Sequence, residues 1–215
     1  MRILVISDTH YNFTLDDYKK IDTGLIQACI SLGDVDLVSL RYWERRCQIN
    51  RIPFYAIPGN HDRWQPPEDM DHTQFIHNKY FNIGSYRCFA FGGSYDYINR
   101  SDSQYKLVRP LVSDEESLCL NSVEPVDILF THDSAKLTDL LQTKPLGQIQ
   151  THFYETVNHP GLQGISEYIK NKKPQYSIFG HHHRNFSTRI DDTRCICIYG
   201  LSVIDFSNGK VIKLL

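Results

Sequence analysis

Five short segments of the sequence concentrate side chains that can bind a metal. The segments are Asp8-Thr9-His10, Gly33-Asp34, Gly59-Asn60-His61-Asp62, Thr131-His132 and Gly180-His181-His182-His183. Together they offer imidazoles, carboxylates and an amide oxygen, a mixed donor set that suits divalent manganese, iron or zinc. None contains cysteine, which argues against a structural cysteine-type zinc site. The set exceeds what one tetrahedral ion takes and suits two ions that share a bridging ligand.

Each segment directly follows a stretch predicted to form a β-strand. Arg2–Ile6 is a short apolar run of the kind found in sheets covered on both faces. Arg51–Ile57 is apolar and aromatic, and Pro58-Gly59 then forces a turn. Ligands bind beyond the carboxyl ends of strands in open α/β sheets. The sequence therefore predicts one site at the ends of several strands.

The rest of the chain alternates predicted strands and helices, which indicates an α/β fold. Further strands are predicted at 24–32, 86–91, 126–130, 176–179, 194–199, 201–206 and 210–214, the last three antiparallel, with a hairpin turn at 207–209. Helices are predicted at 14–20, 35–50, 73–79, 113–117, 135–141 and 161–171. Residues 94–110 are predicted to form a long loop, a functional wall or lid. Without an internal repeat or linker, residues 1–215 are predicted to form a single domain.

Composition narrows the class of protein. A net charge of -2 without a Lys/Arg block gives no electrostatic footprint for nucleic acid or a membrane surface. No apolar run is long enough to span a membrane. The six cysteines mostly fall in apolar, strand-like contexts, and Met1-Arg2 leads straight into a strand without a signal peptide. These features predict reduced thiols and a cytoplasmic location.

In order and approximate spacing, the five segments resemble those of the calcineurin-like metallophosphoesterases, and the resemblance runs from Met1 to about Tyr199. It implies a four-layer αββα sandwich, in which two mixed β-sheets lie face to face between helices, the metallo-dependent phosphatase fold. It also implies two divalent metal ions, with Mn²⁺ preferred and iron, zinc or nickel as alternatives.

The resemblance assigns roles residue by residue. It implies that Asp8, His10 and His183 bind the first metal, that Asn60, His132 and His181 bind the second, and that Asp34 bridges them. It further implies that His61 protonates the leaving oxygen as general acid, while Asp62 orients its ring. Two cations roughly 3.5–4 Å apart then clamp the phosphoryl oxygens and generate a bridging hydroxide for in-line attack.

Differences between this sequence and the better-known branches of the family limit the subgroup to which it can belong. The serine/threonine phosphatases carry Arg-Gly soon after the bridging aspartate and glutamate after Asn-His, whereas this chain has Val35-Asp36-Leu37-Val38 and Asp62. The remaining class contains small single-domain phosphodiesterases and phosphatases, including enzymes that act on nucleotides. We therefore expect a phosphodiesterase. The alternatives are a phosphomonoesterase and a metal-binding scaffold without catalytic activity, like the retromer subunit of this family.

Several side chains near the segments are candidates for substrate contact. They are Asn12, Arg63, Tyr95 and Arg184, together with Tyr11 and Trp64. The expected partner is a phosphoester substrate, with nucleotides included, and the sequence indicates no protein partner.

Overall fold

Two six-stranded β-sheets form the centre of the molecule. The structure, a computed structural model, describes residues 1–64, 67–95, 109–141 and 160–215. Within these residues the strands of the first sheet lie in the order 210–213, 200–205, 2–7, 28–31, 54–56 and 73–75, and those of the second in the order 186–190, 193–197, 176–179, 128–131, 86–91 and 79–83. Parallel strands occupy the middle of both sheets. Antiparallel pairs lie at both edges of the second sheet and at one edge of the first, whose other edge strand runs parallel to its neighbour. Both sheets are therefore mixed, as predicted.

The strand bounds follow the chain order. The strands are β1 Arg2–Ser7, β2 Ala28–Ser31, β3 Phe54–Ala56, β4 Thr73–Phe75, β5 Lys79–Ile83, β6 Tyr86–Phe91, β7 Ser94–Tyr95, β8 Leu111–Val112, β9 Ile128–Thr131, β10 Tyr176–Phe179, β11 Phe186–Ile190, β12 Thr193–Cys197, β13 Gly200–Asp205 and β14 Lys210–Lys213. The helices are α1 Leu15–Lys19, α2 Leu37–Asn50, α3 Asp114–Ser117, α4 Leu137–Leu141 and α5 Gln163–Lys172, with a 3₁₀ helix at Leu118–Ser122.

Three apolar clusters separate four layers. The central cluster joins the facing surfaces of the sheets, with Ile3 and Ile30 from one and Phe130 and Ile178 from the other. A second cluster packs α1 and α2 against the outer face of the first sheet around Trp43, which is fully buried. The third packs the 3₁₀ helix, α4 and α5 against the outer face of the second sheet. This is the predicted αββα sandwich, in which apolar strands fill a core covered on both sides.

The helix starts carry the caps that the sequence indicates. Thr14 and Ser113 each accept a hydrogen bond from the third helical residue, whose carboxylate accepts one in return. Asp36 caps α2 by accepting the Ser39 N–H at 3.0 Å.

The predicted helix at 73–79 is wrong. Thr73–Phe75 is instead an edge strand that pairs in parallel with β3, and Asn78 then adopts a left-handed backbone with φ of 52° before β5. The buried Glu44 carboxylate accepts hydrogen bonds from Thr73 N and Thr73 Oγ1 at 3.0 and 3.1 Å. A contact from α2, distant in sequence, thus holds this segment in the sheet.

The C-terminal strands also differ from expectation. β11 was not predicted, and it pairs antiparallel with β12. β12 belongs to the second sheet, whereas β13 and β14 belong to the first, so the chain changes sheets at Gly200, whose φ is 74°. The predicted hairpin between β13 and β14 is confirmed.

Two compositional expectations can also be compared with the structure. All six cysteines are free thiols, and five of them are buried. In the described residues, none of the helices combines the length and apolar character needed to cross a membrane. Most of the predicted loop at 94–110, including the proposed lid, lies outside the described residues.

Candidate metal centre

The predicted ligands meet where the carboxyl ends of strands from both sheets converge. Hydrogen bonds tie the strand ends together across the two sheets. His132 Nδ1 lies 2.7 Å from the Leu32 carbonyl, and the His181 N–H donates to Asp8 Oδ2 at 2.8 Å. Residues from β1, β2, β9 and β10 thereby come to one point, as the strand-end pattern predicts.

Six of the seven predicted ligands form two groups. The open ligand group consists of Asp8, His10 and His183, and the buried ligand group consists of Asp34, His132 and His181. Within each group, one candidate donor atom of every residue lies within 4.8 Å of the others. The seventh, Asn60, adjoins the buried group, because its Oδ1 lies 2.9 Å from His132 Nε2.

In the open ligand group one carboxylate oxygen of Asp8 is buried without a hydrogen bond to any described residue. Asp8 is fully buried, and its Oδ2 accepts hydrogen bonds from Ser7 Oγ at 2.5 Å and from the His181 N–H. Its Oδ1 accepts none in the described structure and lies 3.5 Å from His183 Nε2. The Nε2 atoms of His10 and His183 are only 3.1 Å apart. A buried carboxylate oxygen without a hydrogen bond, beside two facing imidazole nitrogens, is the arrangement that a cation would satisfy.

The buried ligand group is oriented by the backbone. The Leu32 carbonyl accepts from His132 Nδ1, so that Nε2 is the nitrogen available to a metal. Burial alone would lower the pKa of His132, but the Asp34 carboxylate, 3.4 Å from Nε2, raises this pKa to about 10. A divalent cation would take the place of that proton, because a metal-bound histidine must be neutral.

Asp34 connects the two groups through one oxygen. Its Oδ2 lies 3.4 Å from His132 Nε2 and 4.0 Å from His10 Nε2. Its other oxygen, Oδ1, accepts the backbone N–H of His61 at 2.7 Å. Asp34 therefore faces both groups, which suits the predicted bridging ligand.

Five of the seven predicted ligands have a left-handed backbone. Their φ angles are 54° for Asp8, 41° for His10, 55° for Asp34, 66° for His181 and 49° for His183. This conformation is costly for residues other than glycine, although aspartate and histidine adopt it more readily than most. The turns after the strands thus aim these side chains at one point at a cost in backbone energy.

Two glycines allow the close packing around the ligands. A Cβ on Gly59 would lie 2.6 Å from His132 Cε1 and would also overlap Asp34 Oδ1. A Cβ on Gly180 would overlap Ser7 Oγ and lie 2.5 Å from Asp8 Oδ2. These contacts explain why glycine precedes Asn60 and His181 in their segments.

His61 and Asp62 lie beside the ligands, but they are not arranged as expected. The exposed His61 ring makes an edge-to-face contact with His10 at a centroid distance of 5.1 Å. Among the described residues the Asp62 carboxylate makes no hydrogen bond to that ring. Its Oδ2 instead accepts the N–H groups of Asp34 and Gly59, both at 2.8 Å. The expectation that Asp62 orients the His61 ring is therefore corrected, because Asp62 braces the two ligand turns instead.

The structure separates the substrate-contact candidates. Arg63 is exposed and lines a cleft beside His10, Asp34 and His61, whereas Arg184 is half-buried directly after the last ligand. Asn12 donates to the Tyr199 hydroxyl at 3.1 Å. Tyr95 packs in the third cluster with Lys136 Nζ 4.8 Å from its ring centroid, and it does not line the cleft. Among these four, only Arg63 lies in the cleft.

Sequence reasoning missed three residues that support the site. Tyr199 stacks on the His183 ring at 5.6 Å, and the Arg109 guanidinium donates to the His61 carbonyl oxygen. Asp36 accepts from Thr9 Oγ1 at 2.8 Å and so ties the first ligand turn to the start of α2. None belongs to a local motif of ligand types, and only the Asp36 cap has a sequence signal.

The residues present fit two divalent cations. The open ligand group holds the unsatisfied Asp8 oxygen, the buried ligand group holds an oriented imidazole, and Asp34 faces both. The donors are nitrogen and oxygen only, as borderline divalent metals prefer. An αββα sandwich with paired ligand groups at its strand ends belongs to the class of folds that can hold two metal ions side by side.

Comparison with known proteins agrees with this class. The sequence matches the calcineurin-like phosphoesterase family over residues 1–185, and the chain belongs to that family. The family comprises dinuclear metal phosphoesterases, although some members have no catalytic activity. No protein with a curated function matches the sequence significantly.

Solved structures share the fold at low identity. One solved chain has a TM-score of 0.62 at 14% identity, with 98% of this chain and 96% of that chain covered. The phosphopantetheinyl hydrolase PptH from Mycobacterium tuberculosis has a TM-score of 0.53 at 14% identity, with 92% and 89% covered. At such identities the similarity shows the fold alone.

Proposed function

We propose that this protein is a metal-dependent phosphoesterase that hydrolyses a phosphodiester. The observation that carries the proposal is the position of Asp34 Oδ2, which faces imidazole nitrogens of both ligand groups. When bound, two divalent ions would supply Lewis-acid stabilisation of the phosphoryl oxygens and an activated water. Asp8, His10 and His183 would hold one ion, Asn60, His132 and His181 the other, and Asp34 both. Mn²⁺ is our preferred metal, because the donor set combines imidazole with carboxylate and amide oxygen.

His61 is our candidate general acid. Its exposed ring lies against His10, at the edge of the ligand groups where a leaving oxygen would depart. Its backbone N–H is held by Asp34 Oδ1 and its carbonyl by Arg109, so the residue is positioned from both sides. Histidine is the side chain that enzymes most often use as a general acid or base.

The preference for a diester rests on the cleft beside the site. His10, Asp34 and His61 line one part of a cleft of about 960 Å³, which continues past them. A diester carries a second ester group that needs such space, whereas a small monoester does not. We include nucleotides among the substrates, and we place the protein in the cytoplasm, since free thiols suit a reducing compartment.

The deciding assay compares bis-p-nitrophenyl phosphate with p-nitrophenyl phosphate. The protein would be stripped of metal and reloaded separately with manganese, nickel, zinc or magnesium. We expect faster release of p-nitrophenol from the diester, with the highest rate in manganese. A preference for the monoester would replace our proposal with a phosphomonoesterase. Metal binding without turnover of either compound would favour a non-catalytic scaffold.

A variant tests the role of His61 separately. His61→Ala should lower turnover by roughly 10²–10⁴-fold, the usual contribution of a general acid. Its metal content, measured by atomic absorption, should equal that of the wild type, since His61 belongs to neither ligand group. An unchanged turnover would remove His61 from the mechanism.

A further inference from the structure

The cleft beside the metal centre is far larger than a phosphoryl group. It encloses about 960 Å³ and shares His10, Asp34 and His61 with the site. Sites for whole small molecules span roughly 300–1,000 Å³. The part of the cleft beyond His61 therefore has room for a complete organic group attached to the phosphorus.

Apolar side chains line much of this extension. Leu37, at the start of α2, and Pro67 line it together with Trp64. Tyr11 also lines the cleft, and 76% of its surface is exposed although its backbone is fixed in the left-handed region at φ 62°. Large exposed apolar and aromatic groups next to a polar centre are typical of a ligand site. These walls suit a flat ring system.

Trp64 and His77 add a paired aromatic surface with a polar edge. Their rings meet edge to face at 4.6 Å, and His77 also packs on Phe91 at 5.1 Å. His77 Nδ1 accepts the Gly92 N–H at 3.0 Å, so the ring proton of the neutral imidazole is on Nε2. Burial lowers the pKa of His77 to about 4, which keeps the ring neutral at physiological pH. In the described part of the chain His77 Nε2 has no hydrogen-bond partner, and it can therefore donate to a ligand.

We propose that this cleft binds a nucleoside group of the substrate, with its base against Trp64 and its acceptor atoms toward His77. A nucleobase combines a flat π-surface with ring nitrogens or carbonyls that accept hydrogen bonds. Stacking on an aromatic side chain is available to every base, so the site selects nucleosides without selecting one base strongly. The inference rests on the proposed function and makes it narrower: the substrate is a nucleotide-containing phosphoester.

The test uses two ligands that cannot be hydrolysed, adenosine 5′-methylenephosphonate and methylphosphonate. Binding to the manganese-loaded protein would be measured by isothermal titration. We expect the adenosine compound to bind at least about tenfold more tightly, within the roughly 5- to 150-fold range that base stacking supplies. Trp64→Ala should remove most of this preference and leave methylphosphonate binding unchanged, whereas Trp64→Phe should retain it.

Ile49→Ala serves as the matched control, because Ile49 is an exposed apolar residue of α2 outside the cleft lining. Its binding of both ligands should equal that of the wild type. Equal affinity of the wild type for both phosphonates would overturn the inference, as would a Trp64→Ala variant that keeps the full preference for the adenosine compound. The binding measurement does not depend on turnover. If the protein prefers the adenosine compound but hydrolyses no phosphoester, the nucleoside site would be supported and only the proposed catalytic function would be rejected.

Discussion

The two ligand groups differ in how the fold holds them. In the buried ligand group the side chains of Asp34 and His132 are 1% and 0% exposed. In the open ligand group His10 and His183 are 27% and 54% exposed, although Asp8 is fully buried. His132 is fixed by a main-chain carbonyl, whereas His183, within the described part of the chain, is held by side chains only: the buried Asp8 and the partly exposed His10 and Tyr199.

This difference indicates that the two ligand groups bind a metal with different affinity. Ligands held by the backbone keep their geometry without a metal, so binding there costs little ordering entropy. Ligands held by partly exposed side chains lose more freedom when a metal binds. We therefore expect the buried ligand group to retain its metal and the open ligand group to exchange it.

The largest effect is expected where the two groups meet. Asp34→Asn removes the charge that faces both groups and should bring metal content from about two ions per chain to well below one. Phosphodiester turnover should fall by at least about 10²–10³-fold, since charge stabilisation at the reacting group is lost. Metal analysis and turnover on the same preparation would check this.

The control for that variant is Asp139→Asn, which makes the same chemical change on α4, where Asp139 pairs with Lys170 at 2.7 Å. It should retain both ions and full activity. Full metal content and turnover in Asp34→Asn would show that the two groups are independent, and the bridging role would be lost.

The next largest effect is a difference in Mn²⁺ affinity between the two ligand groups. Titration of Mn²⁺ into stripped protein should show two phases whose Kd values differ by about 10–100-fold, the range that outer hydrogen bonds to metal ligands produce. His10→Ala should abolish the weak phase, and His181→Ala the tight one. Loss of the tight phase in His10→Ala would reverse our ranking of the two groups.

The candidate ligands could be identified from the sequence because they occupy local segments. A strand followed by a turn with Asp, Asn or His is visible within about ten residues, and parallel strand ends meet at one edge of a sheet. The capped helices at Thr14 and Ser113 were predictable for the same reason. The fold class followed from the alternation of strands and helices and from the family resemblance.

The supporting residues could not be predicted, because their contacts join distant parts of the chain. Asn12 and Tyr199 are separated by 187 positions, and neither belongs to a motif. The edge strand at Thr73 likewise depends on Glu44, and the local pattern around it suggested a helix. The family resemblance implied that Asp62 orients the His61 ring, whereas the turn directs its carboxylate to backbone amides.

A smaller effect on metal affinity is expected from Tyr199, whose ring stacks on the ligand His183. Tyr199→Leu removes the stacking on His183 and the acceptor for Asn12, and it should weaken the weak metal phase about tenfold while leaving the tight phase unchanged. Tyr199→Phe keeps the ring and should lie close to the wild type. Tyr80→Leu, a half-exposed tyrosine of β5, is the matched control. An equal loss in both phases would mean that Tyr199 supports the whole fold rather than one ligand.

The smallest effect is the pH dependence of the thermal stability of the metal-free protein. Asp34 raises the pKa of His132 to about 10 against the burial that would lower it, so the folded protein binds this proton more tightly than the unfolded chain. A raised pKa contributes stability that is complete below about pH 6.5 and is lost as the pH rises toward 10. Between about pH 6.5 and 8.5 this contribution falls by about 2 kcal/mol, so the melting temperature of stripped protein should fall by roughly 4–8 °C.

The variant His132→Gln distinguishes the contribution of His132 to the pH dependence from that of other titratable groups. Contact with Asp8 raises the pKa of His183 in the same direction, so the variant should show a shallower slope rather than none. Burial lowers the pKa of His10, which therefore does not add to the fall over this range. The measurement should stop near pH 8.5, because burial raises the pKa of the Cys88 and Cys195 thiols to about 12, and the unfolded chain ionises them first. Equal slopes in wild type and His132→Gln would show that the buried ligand group holds no proton for a metal to displace, and its contrast with the open ligand group would then rest on geometry alone.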